Sequence, residues 1–335
     1  MPEAMLSGRL DVRTRDLAVE EVPKPSPGPG EVLVRVAAAG ICLSDVHLIE
    51  GQLSPLFLAG DAVTLGHEVA GTVAELGDGM TGATVGQRVL LQAGEEKDGW
   101  MHTRGVDYDG GWAEYALATV GTLVPVPDGM PLEQACIVPD GVSTPWASIV
   151  RTAGVRAGQP VGVWGIGGLG AHAVQLLRLA GAAPIVAVDP VPAARAGARL
   201  RRRPRPRPGG RRRRAGAGAD RRCRAGVRLR LRRGGAGARA GGADAGARRR
   251  PGPRRAHRPA AEHPQRHPAQ LLRPADPRPL RLRARARAGA GVPGPARSAN
   301  LSRSISGTLP LSEPARGVEV LAHEEGDPIR LVLTP

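Results

Sequence analysis

Cysteine, aromatic residues and lysine are all in short supply. Three cysteines (Cys42, Cys136 and Cys223) in 335 residues cannot form a disulfide framework, and their scarcity points to a reducing compartment. No stretch approaches the roughly 18 uninterrupted apolar residues that a membrane span needs. The opening MPEAMLSGRLDVRTRDLAVEEV has no apolar run of the signal-peptide kind. A soluble cytoplasmic protein with no membrane partner is expected. Aromatics make up 2% of the chain, and only Lys24 and Lys97 among its 47 basic residues are lysine.

The arginine is unevenly spread. The whole chain carries +16, from 47 basic and 31 acidic residues. Residues 195–297 hold 33 arginines and four acids (Asp220, Asp244, Glu262 and Asp276), a net +29; the remainder has 14 basic and 27 acidic residues, a net −13. Across those 103 residues there is no Phe, Trp, Tyr, Ile or Met, and Val and Leu together number nine. Ordering a residue costs ~1–2 kcal/mol of backbone entropy, which nine scattered aliphatics cannot offset. The segment is therefore expected to be disordered. It resembles a GC-rich gene read out of frame: it starts abruptly inside an unfinished fold and uses arginine without lysine. Ordinary sequence returns near Asn300. The alternative is a natural basic insert that binds nucleic acid by neutralising phosphates. Against it, the segment lacks aromatics on which single strands stack, and Pro204, Pro206 and Pro208 forbid a continuous recognition helix. No specific nucleic-acid partner is expected.

The rest of the chain has two textures. Up to about residue 150 it is β-rich and punctuated by glycine. Glu31–Val36 places Val32, Val34 and Val36 on one face, and short β-like runs follow at Val69–Leu76, Arg88–Gln92 and Trp112–Leu117. This spacing predicts a compact barrel or sandwich. Pro145–Ala153 reads as helix. Pro160–Trp164 then reads as a buried strand, followed by a Gly-rich turn, a helix from about Gly170 to Leu179, and a second strand over Ile185–Val188. Strand, turn, helix, strand is a βαβ unit of a parallel sheet. Past Asn300, Pro314–Ala322 reads as helix and Ile329–Leu333 as a closing strand.

Four clusters carry chemistry. Cys42, in Gly40-Ile-Cys-Leu-Ser-Asp-Val-His47, His67, in Gly66-His-Glu-Val-Ala-Gly71, and Asp140, in Pro139-Asp-Gly-Val-Ser-Thr-Pro145, supply a thiolate, an imidazole and a carboxylate. Catalytic zinc takes three such ligands and leaves a position open. Glu68, beside His67, is an alternate ligand or a supporting carboxylate. Taken singly each is commonplace: a buried thiol, a satisfied histidine, a turn aspartate. The fourth cluster, Gly165-Ile-Gly-Gly-Leu-Gly170, matches G-x-G-x-x-G. Gly165, Gly167, Gly168 and Gly170 would let a pyrophosphate approach a helix N-terminus. Asp189 ends the next strand 19 residues after Gly170, where a carboxylate bonds the ribose 2′-hydroxyl and favours NAD over NADP.

The ordered set GICLSDVH, GHEVAGTV, the Gly86–Val89 turn, PDGVSTPW and GIGGLG resembles the zinc-dependent medium-chain alcohol dehydrogenases, over residues 1–194 and 298–335. The resemblance implies a GroES-like β-barrel catalytic domain (1–150, completed by 298–335) with an inserted Rossmann cofactor domain. Residues 151–194 form the first half of that domain, and the arginine-rich segment displaces the second. By position, Cys42, His67 and Asp140 match the catalytic zinc ligands and Glu68 the carboxylate beside them. Ser44 matches the hydroxyl that hands on the alcohol proton, Asp45 a support of the zinc site, His47 a relay toward solvent, and Thr144 a residue near the nicotinamide. Many members also carry four clustered cysteines that bind a structural zinc, but Leu91–Gly111 contains none, so one zinc per chain is expected. The implied reaction is reversible hydride transfer between an alcohol and NAD, giving an aldehyde or ketone, in a homo-oligomer. A zinc-free quinone oxidoreductase of the same superfamily is the rival enzyme reading.

Overall fold

The structure is a computed structural model and describes residues 3–189, 227–230 and 299–335. The expectations of disorder and of a wrong reading frame for residues 195–297 fall almost wholly outside the described residues.

Two short sheets and one large one make the first domain. Strands β1 (Ala4–Asp11), β2 (Leu17–Pro23) and β4 (Ala62–Thr64) form the order β2-β1-β4. The large sheet is built on β3 (Glu31–Ile41), which pairs with β5 (Glu68–Leu76) along one edge. Its other edge pairs first with β9 (Tyr115–Thr119) and then, over Ala39–Ile41, with β15 (Arg330–Thr334). Strands β6 (Arg88–Leu91), β10 (Leu123–Pro125) and β14 (Ile305–Pro310) complete the order β10-β6-β5-β3-β15-β14. Thus the return segment supplies two strands of the barrel sheet, together with helix α5 (Pro314–Ala322). Val32, Val34 and Val36 enter one core with Leu10, Leu65, Trp112 and Leu333. Leu33 is buried too, because β3 is covered on both faces.

A hairpin of β7 (Gly94–Lys97) and β8 (Trp100–Thr103) occupies the cysteine-free stretch. Its connection to the barrel rests on Asp107, whose carboxylate accepts the N–H groups of Leu56, Phe57 and Thr103.

Helix α1 (Leu43–Ile49) follows β3, and α2 (Leu132–Cys136) packs Ala135 and Cys136 against Ala38 and Ala70. The stretch read as helix from Pro145 is α3 (Ser143–Ala147), flanked by π-helical turns at Val138–Val142 and Ser148–Thr152. Next come β11 (Val161–Trp164), α4 (Gly168–Leu179) and β12 (Ile185–Val188), with β11 and β12 parallel. The helix turns Ala173, Val174, Leu176 and Leu177 inward against Val161 and Val163, the apolar spacing of a helix packed on a sheet.

Within the arginine-rich segment Val227–Arg230 forms β13, parallel to β11, with Leu229 buried in the core that β11 and α4 share. In Val-Arg-Leu-Arg the aliphatics recur every second residue, the period of a half-buried strand.

Candidate metal and nucleotide site

The ends of β3 and the start of β5 bring the first two clusters together. Cys42 sits at the N-cap of α1, where the Asp45 carboxylate accepts its N–H at 2.8 Å. Across the sheet, Gly66 turns the chain into β5 with φ +94°. A Cβ there would lie 2.3 Å from the Trp112 ring, so only glycine brings His67 past the indole. Trp112 itself is anchored by donating from Nε1 to the Gly40 carbonyl, 3.1 Å. Asp140 arrives on the π-helical turn before α3.

These three side chains converge. The Cys42 Sγ, a ring nitrogen of His67 and a carboxylate oxygen of Asp140 all lie within 4.8 Å of one another. Cys42 Sγ is 3.3 Å and His67 Nε2 3.8 Å from Asp140 Oδ2. A tetrahedral zinc with its usual bond lengths separates such ligand atoms by about 3.3–3.7 Å, so the Cys42–Asp140 and His67–Asp140 spacings are close to those that a divalent cation sets. Asp45 Oδ1, almost wholly buried, lies 3.4 Å from His67 Nδ1. It is close enough to hold the ring electrostatically, although not aligned as a hydrogen bond. Burial opposes charge on His67, but Asp45 and Asp140 overcome it and raise its pKa well above the usual histidine range. Burial also opposes charge on Asp140, yet His67 and Arg330 hold its carboxyl far below the ordinary value.

The structure distributes the remaining predicted residues unevenly. Ser44 Oγ lies 3.4 Å from His67 Nε2, on the side of the ring that faces Asp140. His47 is half-buried one turn further along α1, and among the described residues no hydrogen bond joins its ring to Ser44. Thr144 Oγ1 donates to Asp140 Oδ1 at 2.7 Å, fixing the other carboxylate oxygen. Glu68 is fully buried but stands outside the converging triad. Its Oε1 accepts the Gly141 N–H at 2.9 Å and lies 3.3 Å from Arg330 Nη2. Burial lifts its pKa to about 7, against the pull of Arg330.

Arg330, at the start of β15, escaped the sequence reading, which saw only a closing strand. It is 3% exposed and its Nη2 also lies 3.2 Å from Asp140 Oδ2. Cys42, Glu68 and Asp140 keep it charged despite burial. An arginine at an inward position of an otherwise apolar strand was the available signal, since buried guanidinium groups need acidic partners.

The Gly-rich turn lies beside this network. Gly165 has φ +89°, and a Cβ on Gly170 would meet the Gly165 carbonyl at 1.8 Å. Both positions therefore require glycine. Gly167 caps α4, and a Cβ on Gly168 would lie 3.4 Å from Arg330 Cζ. Asp189 points its Oδ2 at the Ile166 N–H, 2.7 Å, so its carboxylate braces the turn.

Comparison with known proteins agrees with this architecture. The family model of the alcohol dehydrogenase GroES-like domain matches residues 28–128. The chain is 37% identical over 206 residues to an NDMA-dependent alcohol dehydrogenase of Amycolatopsis methanolica, covering 52% of this chain and 54% of that one. It is 30% identical to the acetophenone reductase of Geotrichum candidum solved with NAD, with TM-score 0.52 over 58% of this chain and 60% of that one. The 2R,3R-butanediol dehydrogenase of Bacillus subtilis covers 99% of both chains with TM-score 0.64 at 20% identity, a likeness of fold alone. The chain spans about half the length of the curated relatives it matches. The fold is thus that of a GroES-like domain together with a Rossmann-type unit. Over about half of its length the chain is similar to alcohol dehydrogenases, and residues 28–128 match their GroES-like domain.

Proposed function

We propose that this protein is a zinc-dependent oxidoreductase that moves a hydride reversibly between an alcohol and NAD, with an aldehyde or ketone as product. The observation that carries this reading is the convergence of Cys42, His67 and Asp140 within 4.8 Å. It also favours the zinc enzyme over a zinc-free quinone oxidoreductase, which has no use for such a set. Cys42, His67 and Asp140 would hold the metal, whose Lewis acidity acidifies an alcohol and polarises a carbonyl.

The chain's own groups do the rest. Asp45 holds His67 with Nε2 facing the site, and Thr144 and Arg330 hold Asp140. Ser44 Oγ, 3.4 Å from His67 Nε2, takes the substrate's hydroxyl proton, and His47, three residues on along the same helix face, passes it outward. Glu68, neutralised by Arg330, supports the site from beside it. The turn formed by Gly165, Gly167, Gly168 and Gly170 receives the pyrophosphate at the α4 N-terminus. Asp189 accepts from the ribose and disfavours a 2′-phosphate. With no cysteine between Leu91 and Gly111, the reading is one zinc per chain. A small-molecule partner, a cytoplasmic location and a homo-oligomer complete it. Among the described residues no helix is long and apolar enough to cross a membrane.

Metal analysis of the purified chain tests the assignment. One zinc per chain is expected, lost in Cys42→Ala and in His67→Ala and retained in Ser44→Ala, which loses only turnover. Full zinc occupancy in both ligand variants would refute it.

A further inference from the structure

His172 takes no part in the chemistry above, yet it is 1% exposed and satisfied at both ring nitrogens. It lies on the inner side of α4, one turn beyond the phosphate-binding glycines. Nδ1 lies 2.6 Å from the Gly168 carbonyl oxygen, which can only accept, so Nδ1 carries the proton. Nε2 is then the acceptor and receives the Ser304 hydroxyl at 2.8 Å. Ser304 is itself 2% exposed and belongs to the return segment just before β14. A buried ring in a fixed tautomer thus spans from the Gly-rich turn to a residue 132 positions later.

The neighbourhood explains why the link bears on ligand binding. Gly168 lies directly beneath Ile329 and Arg330, since a Cβ on it would meet the Ile329 carbonyl at 3.0 Å and Arg330 Cζ at 3.4 Å. The turn therefore lies against the strand that carries Arg330, and Arg330 in turn touches Asp140. Moving the turn by a fraction of an ångström would change both the aim of its N–H groups and its distance from that guanidinium. Burial and the nearby Arg330 hold the His172 pKa down at about 4, which keeps Nε2 free to accept at neutral pH.

We propose that His172 and Ser304 form a clasp that positions the Gly165–Gly170 turn for the diphosphate of a dinucleotide, which makes both of them positioning residues. The proposal rests on the dinucleotide reading of that turn. It needs no adenosine contact, so it predicts an effect on inorganic pyrophosphate as well as on NAD.

Equilibrium dialysis of the full chain against NAD and against inorganic pyrophosphate, well below the melting temperature, tests it. His172→Asn keeps a donor for Gly168 but cannot reach Ser304, and Ser304→Ala removes the other end of the same bond. Each is expected to weaken both ligands by about 3- to 10-fold, the worth of one buried hydrogen bond. The double variant is expected to lose no more than the weaker-binding single one, and His172→Ala is expected to lose more. Unchanged affinities with a lowered melting temperature would show a merely structural contact and overturn the proposal, as would fully additive losses. A parent chain that binds neither ligand would overturn the dinucleotide reading and the clasp together. Normal binding by the parent with indifferent variants would sink the clasp alone.

Discussion

Removing only the charge of Asp189 separates its two contributions. Asparagine keeps an oxygen that accepts the Ile166 N–H, now 2.7 Å from the carboxylate, while abolishing repulsion of a 2′-phosphate. Asp189→Asn is therefore expected to bind NAD within about threefold of the parent while narrowing its preference over NADP, as titrations with both cofactors would read. Asp189→Ala loses the acceptor too and should weaken both; equal behaviour of the two variants would contradict the bracing contact. The carboxylate was legible in the sequence because strand, turn and helix fixed its place, whereas its bond to Ile166 was not, since spacing carries no information on where a side chain turns. The candidate metal ligands divide in the same way. Cys42, His67 and Asp140 have the right chemistry singly, but only the ordered motifs bring positions 42, 67 and 140 to one point. His172 was hidden because an inward histidine on an amphipathic helix looks like core, and its partner lies beyond a hundred residues of uninformative arginine.

At the scale of elements, the turn into β5 decides whether the imidazole arrives. Gly66→Ala forces a Cβ into the Trp112 ring at φ +94°, and is expected to cost about 3 kcal/mol together with bound zinc. Gly99→Ala, where φ is +79° but nothing stands within 4 Å, should cost about 1 kcal/mol and leave the metal alone. Urea melts and metal analysis of the pair separate crowding from backbone strain; equal losses would show that the indole contact is unimportant. Most elements were readable from their periods, including the helix at Pro314–Ala322, which matches α5 residue for residue. Strand β13 was not, because the composition around Val227 and Leu229 outweighed a four-residue alternation. The β7–β8 hairpin escaped notice as well: its residues are mostly polar, and Asp107 organises it through backbone N–H groups rather than through an apolar pattern.

At the scale of the molecule, burying His172 beside Arg330 is expected to make stability depend on acidity. The ring stays neutral in the folded chain down to about pH 4 but protonates near 6.5 when unfolded. Between those values the unfolded chain binds the extra proton, so stability rises with pH. The contribution is fully present above about pH 6.5 and is lost as pH falls toward 4, on the order of 3 kcal/mol. His172→Asn should flatten that part of the curve relative to the parent, with every other titrating group common to both. Parallel denaturation curves for the two proteins across this range would exclude it.

Arg330 gives the order of biosynthesis a chemical meaning. A nascent chain that has passed position 140 already holds Glu68 and Asp140, the two carboxylates that this guanidinium touches. About 190 further codons must be read before the counter-ion emerges from the ribosome. Until then one flank of β3 waits for β15, and Glu68 and Asp140 lack the guanidinium that both touch in the finished fold. Closure of that flank is therefore among the last steps that translation allows, and the charge balance around Asp140 is completed along with it.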